Sequence, residues 1–379
     1  MPALATLEIV AGMLQRPLFI GSEIYRRSRY GGKHPLAIPR VSAAIDLCRA
    51  MGWLPDEVYI DSPTATVEQL ARFHDREYIA AVMRAEAEQA IDGEAALRYN
   101  IGRNGNPVFG EVFRRPATAC GASLKAAELL RDGGVIYSPA GGTHHGRRDR
   151  ASGFCYFNDP VLAILAMLDQ GLERVLYVDI DAHHGDGVEA AFVGEPRVLT
   201  ISVHQEDLWP RTGKVEDRGE GSARNLPVPA GLNDSELAYL VEKAILPLAR
   251  CFAPQAIVLQ CGADALADDP LSGGSLSNRA LWEAVEALHG EAPRLLVLGG
   301  GGYNPWSVAR AWAGVWATLN AIPIPDPLPP WAEEVLRGLS WNRRYDDPLP
   351  ERWFTTLADP PNPGPVRERI KEVASAALA

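Results

Sequence analysis

The eight residues Asp179-Ile180-Asp181-Ala182-His183-His184-Gly185-Asp186 carry three carboxylates and two imidazoles. Carboxylate oxygen and imidazole nitrogen are suitable ligands for a catalytic divalent metal. The stretch follows Val175, Leu176, Tyr177 and Val178, an apolar run too short for a buried helix, which reads as a buried strand. If the extended geometry persists, Asp179, Asp181 and His183 share one face and Ile180 and Ala182 the other. Gly185 and Gly187 then let the backbone turn sharply. The plainer alternative is a hydrogen-bonded polar cluster at a strand end, so the decision falls to the rest of the chain.

Other polar residues fall at equivalent places. His144 and His145 follow the expected strand Val135–Ser138, His204 follows Val198–Val203, Asp264 follows Ala256–Gln260, and Tyr303 follows Leu295–Leu298. All lie past strand C-terminal ends, where open parallel sheets place their ligand crevice. Four of the eight histidines sit in two His-His pairs, a clustering that random placement rarely produces.

Three ligands suffice for a metal that keeps an open position for chemistry. Asp181 and His183 supply two and Asp264 is the natural third, although Asp264 alone would read as a helix cap or turn residue. His144 and His145 become acid-base candidates, with Asp179 and Asp186 placed to accept their outer hydrogen bonds. Tyr303, on the loop Gly299-Gly300-Gly301-Gly302, offers a phenolic donor to an oxyanion; its plain reading is an aromatic packed on the rim.

Rival motifs fail on the letters. An EF-hand counted from Asp179 needs glycine where His184 stands, and the third glycine of a dinucleotide loop would fall on Asn304. No phosphate loop, His-Glu-x-x-His or Gly-x-Ser-x-Gly pattern occurs. A net charge of −11 argues against nucleic acid as the direct ligand. Five scattered cysteines without a Cys-x-x-Cys pair fit a reducing cytoplasm, and no apolar run is long enough for a membrane span. The N-terminus lacks a basic leader region, and its apolar run is interrupted by Glu8. Together these readings predict a cytoplasmic protein that binds neither nucleic acid nor membrane.

The elements that must position these residues alternate. A first strand is expected at Pro17–Ser22, helices at Arg40–Met51 and Leu70–Glu88, a loop from Tyr99 to Gly110, and a helix from Ala117 to Leu130. From Val135 onward apolar strands alternate with helices at 159–168, 188–192, 235–251, 278–289 and 305–319. This pattern predicts a single α/β domain with a mainly parallel sheet flanked by helices and right-handed crossovers. Its expected extent is residues 1–321. Residues 322–379 form a Pro-rich extension with little patterning before a helix at Val366–Leu378, which docks on the body or on a second subunit of a homo-oligomer.

Tyr137 to His145, Ala151 to Asp159, Asp179 to Gly187, Cys261 to Asp264 and Gly299 to Tyr303 together resemble the zinc-dependent histone deacetylases of the class I kind, and more closely the bacterial acetoin utilization proteins. The similarity extends weakly over residues 17 to 320. It implies an arginase/deacetylase fold with one metal, zinc or iron(II), held by Asp181, His183 and Asp264. It also implies that His145 shuttles the proton beside its electrostatic partner His144, that Asp179 and Asp186 complete two His-Asp dyads, and that Tyr303 polarises the acyl carbonyl. Gly153, Phe154 and Trp209 align with the acyl-lysine tunnel, where Trp209 departs from the family pattern. Arg40 matches an arginine at an internal acetate-release cavity. A structural potassium ion is implied near Asp179, Asp181, His183, Ser202 and Val203.

A second departure concerns the rim. Gly105 stands before Asn106-Pro107 where class I relatives carry an aspartate that grips substrate backbone. The resemblance therefore implies deacylation of acyl-lysine, acetyl-lysine in proteins first, with an acylated small amine such as an acetylpolyamine as the alternative substrate. A non-catalytic acyl-lysine binding module would show a damaged catalytic position, yet all six of Asp181, His183, Asp264, His144, His145 and Tyr303 are present. An arginase-like dimetal site would need more carboxylates.

Overall fold

A computed structural model describes residues 16–341, 343 and 348–379. The interrupted apolar run around Glu8 lies outside the described residues. Eight strands form one sheet in which every pairing is parallel, in the order β2-β1-β3-β8-β7-β4-β5-β6. They are β1 (Leu18–Gly21), β2 (Tyr59–Asp61), β3 (Gly134–Ser138), β4 (Val175–Asp179), β5 (Val198–Gln205), β6 (Ala223–Val228), β7 (Ala256–Gln260) and β8 (Arg294–Leu298).

Helices cover both faces, so the inner strands are apolar on both sides. Leu176 and Val178 of β4 join one core with Ile257, Leu259, Leu295 and Val297. Their alternates Val175 and Tyr177 join the other core with Val258, Leu296 and Leu298. The period of two is the pleat itself.

Register decides where chemistry can gather. Ser138, Leu298, Gln260, Asp179 and Ser202 are paired across β3, β8, β7, β4 and β5, forming one row at the strand ends. The loops that follow leave the sheet at one level, so residues over a hundred positions apart in sequence meet there.

Several expectations need correction. The predicted 70–88 helix is two: Val67–Leu70, closed by a Thr66/Gln69 capping box, and Arg76–Glu88, with Phe73 and His74 in the break. His74 is a packed residue, accepting the Asn158 N–H at 3.0 Å and lying 2.9 Å from the Arg147 carbonyl. The 117–130 helix begins at Arg114, with Pro116 tolerated in its first turn. Strand β4 stops at Asp179, yet the expected alternation carries past its end: Ile180 and Ala182 lie in the core of Leu176 and Val178, while Asp181 and His183 turn to the site. Among its described residues the extension carries two unpredicted helices, Pro330–Arg337 and Arg352–Thr355, before its last helix, Glu368–Leu378. That last helix docks on the body of the same chain. Ile370, Val373, Ala374 and Ala377 are buried in the larger core, and Arg218 donates to the Ala376 carbonyl at 2.6 Å.

The Pro305–Leu319 helix that follows the Tyr303 loop is almost wholly buried and packs on the Asn278–Leu288 helix at Gly314. A Cβ there would lie 2.0 Å from Cζ2 of Trp282, whose indole is tied to the Ala311 carbonyl at 2.8 Å. Alanine is the better helix former by about 1 kcal/mol, so propensity alone predicts that Gly314→Ala stabilises. The clash should win, with a net loss of about 2 kcal/mol in urea unfolding. An unchanged or raised midpoint would show that the two helices can separate freely.

Candidate active site

Asp181, His183 and Asp264 come together above the ends of β4 and β7. One ligand atom from each lies within 4.8 Å of the others, and all three residues are buried or nearly so. His183 Nδ1 stands 2.9 Å from Asp264 Oδ2 and 3.2 Å from Asp181 Oδ1. The remaining oxygens are anchored: Asp181 Oδ2 accepts from Gly301 N at 2.7 Å and Gln260 Nε2 at 3.1 Å, and Asp264 Oδ1 accepts from Ala182 N at 2.9 Å. Each carboxylate is thereby fixed on one side and offers the other to a common centre.

Two buried carboxylates demand a compensating cation. Burial works against a charged His183, but Asp264 and Asp181 outweigh it and push the imidazole well above its ordinary range. A divalent ion meets the same demand with the N/O donor set of a catalytic site, so the three residues fit the metal that the resemblance implies. The cradle is cut to size by glycine. A Cβ on Gly262 would lie 2.2 Å from Asp181 Oδ2, and one on Gly301 would lie 2.1 Å from Asp264 Oδ2.

Beside this centre stand two His-Asp pairs. His144 Nδ1 lies 2.7 Å from Asp179 Oδ2, and His145 Nδ1 lies 2.7 Å from Asp186 Oδ1. These contacts leave Nε2 of each ring for chemistry. The ring centroids are 3.9 Å apart, which sets the two imidazoles against each other electrostatically. For His144, burial opposes the charge, but Asp179 and Asp181 overcome it and hold the ring up at about 9. Burial and then the neighbouring His144 push His145 down to about 3, which favours its neutral form. A divalent cation on Asp181 would compete with His144 for that carboxylate and lower its value.

The loop carrying both histidines hangs from Asp159. Its buried carboxylate accepts the Thr143 N–H at 2.8 Å, the Gly142 N–H at 3.2 Å and the Ser123 hydroxyl at 2.6 Å. Arg147 donates to Asp186 and fixes the second dyad.

Tyr303 is only 7% exposed, and burial pushes its phenol well above the usual range, keeping it a hydrogen-bond donor. It shares a cleft of about 560 Å³ with Gly153, Phe154, Trp209, His145 and His183. Trp209 is 47% exposed with its ring 4.7 Å from that of His145, which places it at the mouth. Gly153 is required, because its φ is +51° and a Cβ would lie 2.4 Å from His145 Cδ2. Gly105 has a comparable constraint: a Cβ would fall 2.5 Å from the Phe154 ring. The missing rim side chain and the cleft wall are one packing solution.

Arg40 lies behind the site, half-buried, donating to the Gly300 carbonyl at 2.7 Å with its guanidinium over Trp312. It lines a cavity of about 60 Å³ together with His144 and Tyr303. Ser202 and Val203 lie on β5 beside β4, with Ser202 paired to Asp179. His204 does not join the cluster. It contacts the Gly213 carbonyl at 2.9 Å and the Ser202 hydroxyl at 3.0 Å, and burial followed by His184 pushes it down to about 3.

Three participants escaped the sequence reading. Gln260 bridges Asp181 and Tyr177, Tyr177 donates to Asp179 at 2.7 Å, and Asp269 accepts the Tyr303 N–H at 2.6 Å. A glutamine ending the otherwise apolar run Ala256 to Leu259 was the available signal for the first.

Buried acid-base dyads flanking an Asp-His-Asp centre at the mouth of an all-parallel sheet define a hydrolase-like α/β architecture, and the comparisons make its class specific. Residues 34–319 match the family described as Histone deacetylase domain. The acetoin utilization protein AcuC of Bacillus subtilis is 32% identical over 369 residues, covering 94% of each chain. Histone deacetylase 19 of Arabidopsis thaliana is 37% identical over 308 residues, 79% of this chain; the alignment spans 61% of that longer relative. The crystal structure of an HDAC homolog from Aquifex aeolicus superposes with a TM-score of 0.91 at 37% identity, over 96% of this chain and all of that one. The chain belongs to the histone deacetylase family, a family of metal-dependent deacetylases.

Proposed function

We propose that the chain hydrolyses the amide of acyl-lysine, acetyl-lysine in proteins first, to a free amine and a carboxylate. The observation that carries this reading is the convergence of Asp181, His183 and Asp264 with both His-Asp dyads and Tyr303 at the base of one aromatic-walled cleft. Asp181, His183 and Asp264 would hold the metal, zinc or alternatively iron(II), which when bound polarises the acyl carbonyl and acidifies water. Tyr303 donates its phenolic proton toward the acyl oxygen as it gains charge. His145, oriented by Asp186, takes a proton from the attacking water and returns it to the nitrogen as the C–N bond breaks. His144, held by Asp179, sets the electrostatics of that ring. Arg40 faces the carboxylate product in the rear cavity, while Phe154, Gly153 and Trp209 wall the acyl chain.

Potassium near Asp179, Asp181, His183, Ser202 and Val203 would brace the adjoining ends of β4 and β5. Among the described residues no helix is long and apolar enough to cross a membrane, and all five cysteines are free, which supports the cytoplasmic reading. One observation favours a second substrate class: with glycine at 105 and Phe154 filling the space above it, the rim offers no carboxylate there for peptide backbone. An acylated small amine needs no such grip.

The test is acetate release from an acetyl-lysine peptide and from an acetylated polyamine, before and after chelation. Turnover should vanish on metal removal and return with zinc or iron(II). The better kcat/KM identifies the substrate class. Activity indifferent to chelation would sink the reading.

A further inference from the structure

The backbone that carries Tyr303 is weakly determined by its own sequence. Four glycines precede it, and Gly300 and Gly302 adopt φ of +124° and +131°. Such a segment loses much conformational entropy on ordering and needs anchors from outside. Arg40 and Asp181 hold Gly300 and Gly301, and the anchors at Tyr303 itself come from the adjacent residues Asp268 and Asp269, which face opposite ways. The buried carboxylate of Asp269 accepts the Tyr303 N–H at 2.6 Å and the Leu271 N–H at 2.9 Å. The Asp268 carbonyl accepts from Asn304 Nδ2 at 3.1 Å, just past Tyr303.

The Asp268 carboxylate turns to the C-terminal extension. It accepts Arg352 Nη2 at 2.6 Å and the Trp353 indole N–H at 2.8 Å. Arg352 also reaches Asp359 at 3.0 Å, which takes Arg310 at 2.7 Å from the helix that begins at Pro305. Trp353 stacks on Trp306, with centroids 5.2 Å apart. Both sides of the Tyr303 segment are therefore tied to residues 352–359.

We propose that the extension is a strap that positions Tyr303, with Arg352 and Trp353 acting as positioning residues through Asp268 and Asp269. This inference rests on the assignment of Tyr303 to the acyl carbonyl. Misplacement of a reacting group by about 1 Å can cost about a hundredfold, so losing the strap should be visible in turnover.

The experiment compares Arg352→Ala in the native and Tyr303→Phe backgrounds, using an activated trifluoroacetyl-lysine substrate that keeps residual turnover measurable. In the native background kcat should fall at least about tenfold with KM within about twofold, while the same change in Tyr303→Phe should cost less than about twofold. Hydrogen exchange should quicken in peptides covering 264–271 and 299–305 and stay unchanged over β4. Asp268→Asn preserves side-chain shape and carries the same expectations should the alanine variant fold poorly. Equal losses in both backgrounds, unchanged kcat, or exchange that rises over β4 as much as over 299–305 would overturn the strap. Native turnover in Tyr303→Phe alone would instead remove the assignment of Tyr303, and the exchange result would still decide whether the strap orders that segment.

Discussion

Replacing His145 by alanine is expected to lower kcat by about three orders of magnitude, with KM changed only a few-fold, because a positioned acid-base group contributes about that much. Its ring Nδ1 is engaged by Asp186, and Asp186 is itself pinned by Arg147, so the imidazole has little freedom to rotate. Burial and the adjacent His144 keep it unprotonated and ready to accept. Its ring lies 6.1 Å from that of His183 and 4.7 Å from that of Trp209, between the candidate metal centre and the mouth of the cleft. His144 is engaged in the same way by Asp179, and the Asp179 and Asp181 carboxylates favour its charged form, so it can supply charge more readily than accept a proton. His144→Ala should accordingly cost less. Steady-state kinetics on metal-matched samples would decide, and a larger loss from His144→Ala than from His145→Ala would exchange the two roles.

The inner strands were readable because burial on both faces writes itself as an unbroken apolar run: Ala256 to Leu259 and Leu295 to Leu298 have no other sensible reading. The outer strands were not. β2 is only Tyr59-Ile60-Asp61, and β6 mixes Arg224 and Asn225 with Pro227, a composition tolerated at a sheet edge and indistinguishable from a loop. The break between Leu70 and Arg76 was hidden because apolar residues continue through Phe73, and the Thr66 capping box marks only where the first helix starts. At the site, residues whose chemistry is intrinsic, such as Asp181, His183 and the His144-His145 pair, announced themselves. Gln260, Tyr177 and Asp269 did not, because their roles exist only through neighbours on other strands and loops. The extension was opaque for the same reason: Trp353 and Arg352 mean little until Trp306 and Asp268 are placed beside them.

Gly301→Ala tests the candidate metal centre without replacing a ligand. The φ of Gly301 lies outside the left-handed region that strains other residues, unlike that of Gly300 or Gly302, so the backbone accepts alanine. The cost falls on the carboxylates, since the new Cβ would lie 2.1 Å from Asp264 Oδ2 and 2.8 Å from Asp181 Oδ2. Neither carboxylate can yield cheaply: Asp264 is tied to Ala182, and Asp181 to Gln260 and to the Gly301 N–H itself. One must swing away and break the Asp-His-Asp geometry. Disturbing the groups that orient metal ligands lowers affinity by about 10- to 100-fold, and a direct clash with a ligand oxygen should reach the upper end. Deacetylation should fall in step, while unfolding shifts by no more than the about 1–3 kcal/mol of a modest overpacking. Gly31→Ala, where nothing lies within 4 Å of the added carbon, is the control that should change none of these. Competition against a chromophoric chelator measures the affinity. A Gly301→Ala protein binding zinc within threefold of the native chain would mean that the centre tolerates a displaced carboxylate, and that the glycine cradle serves the turn rather than the metal.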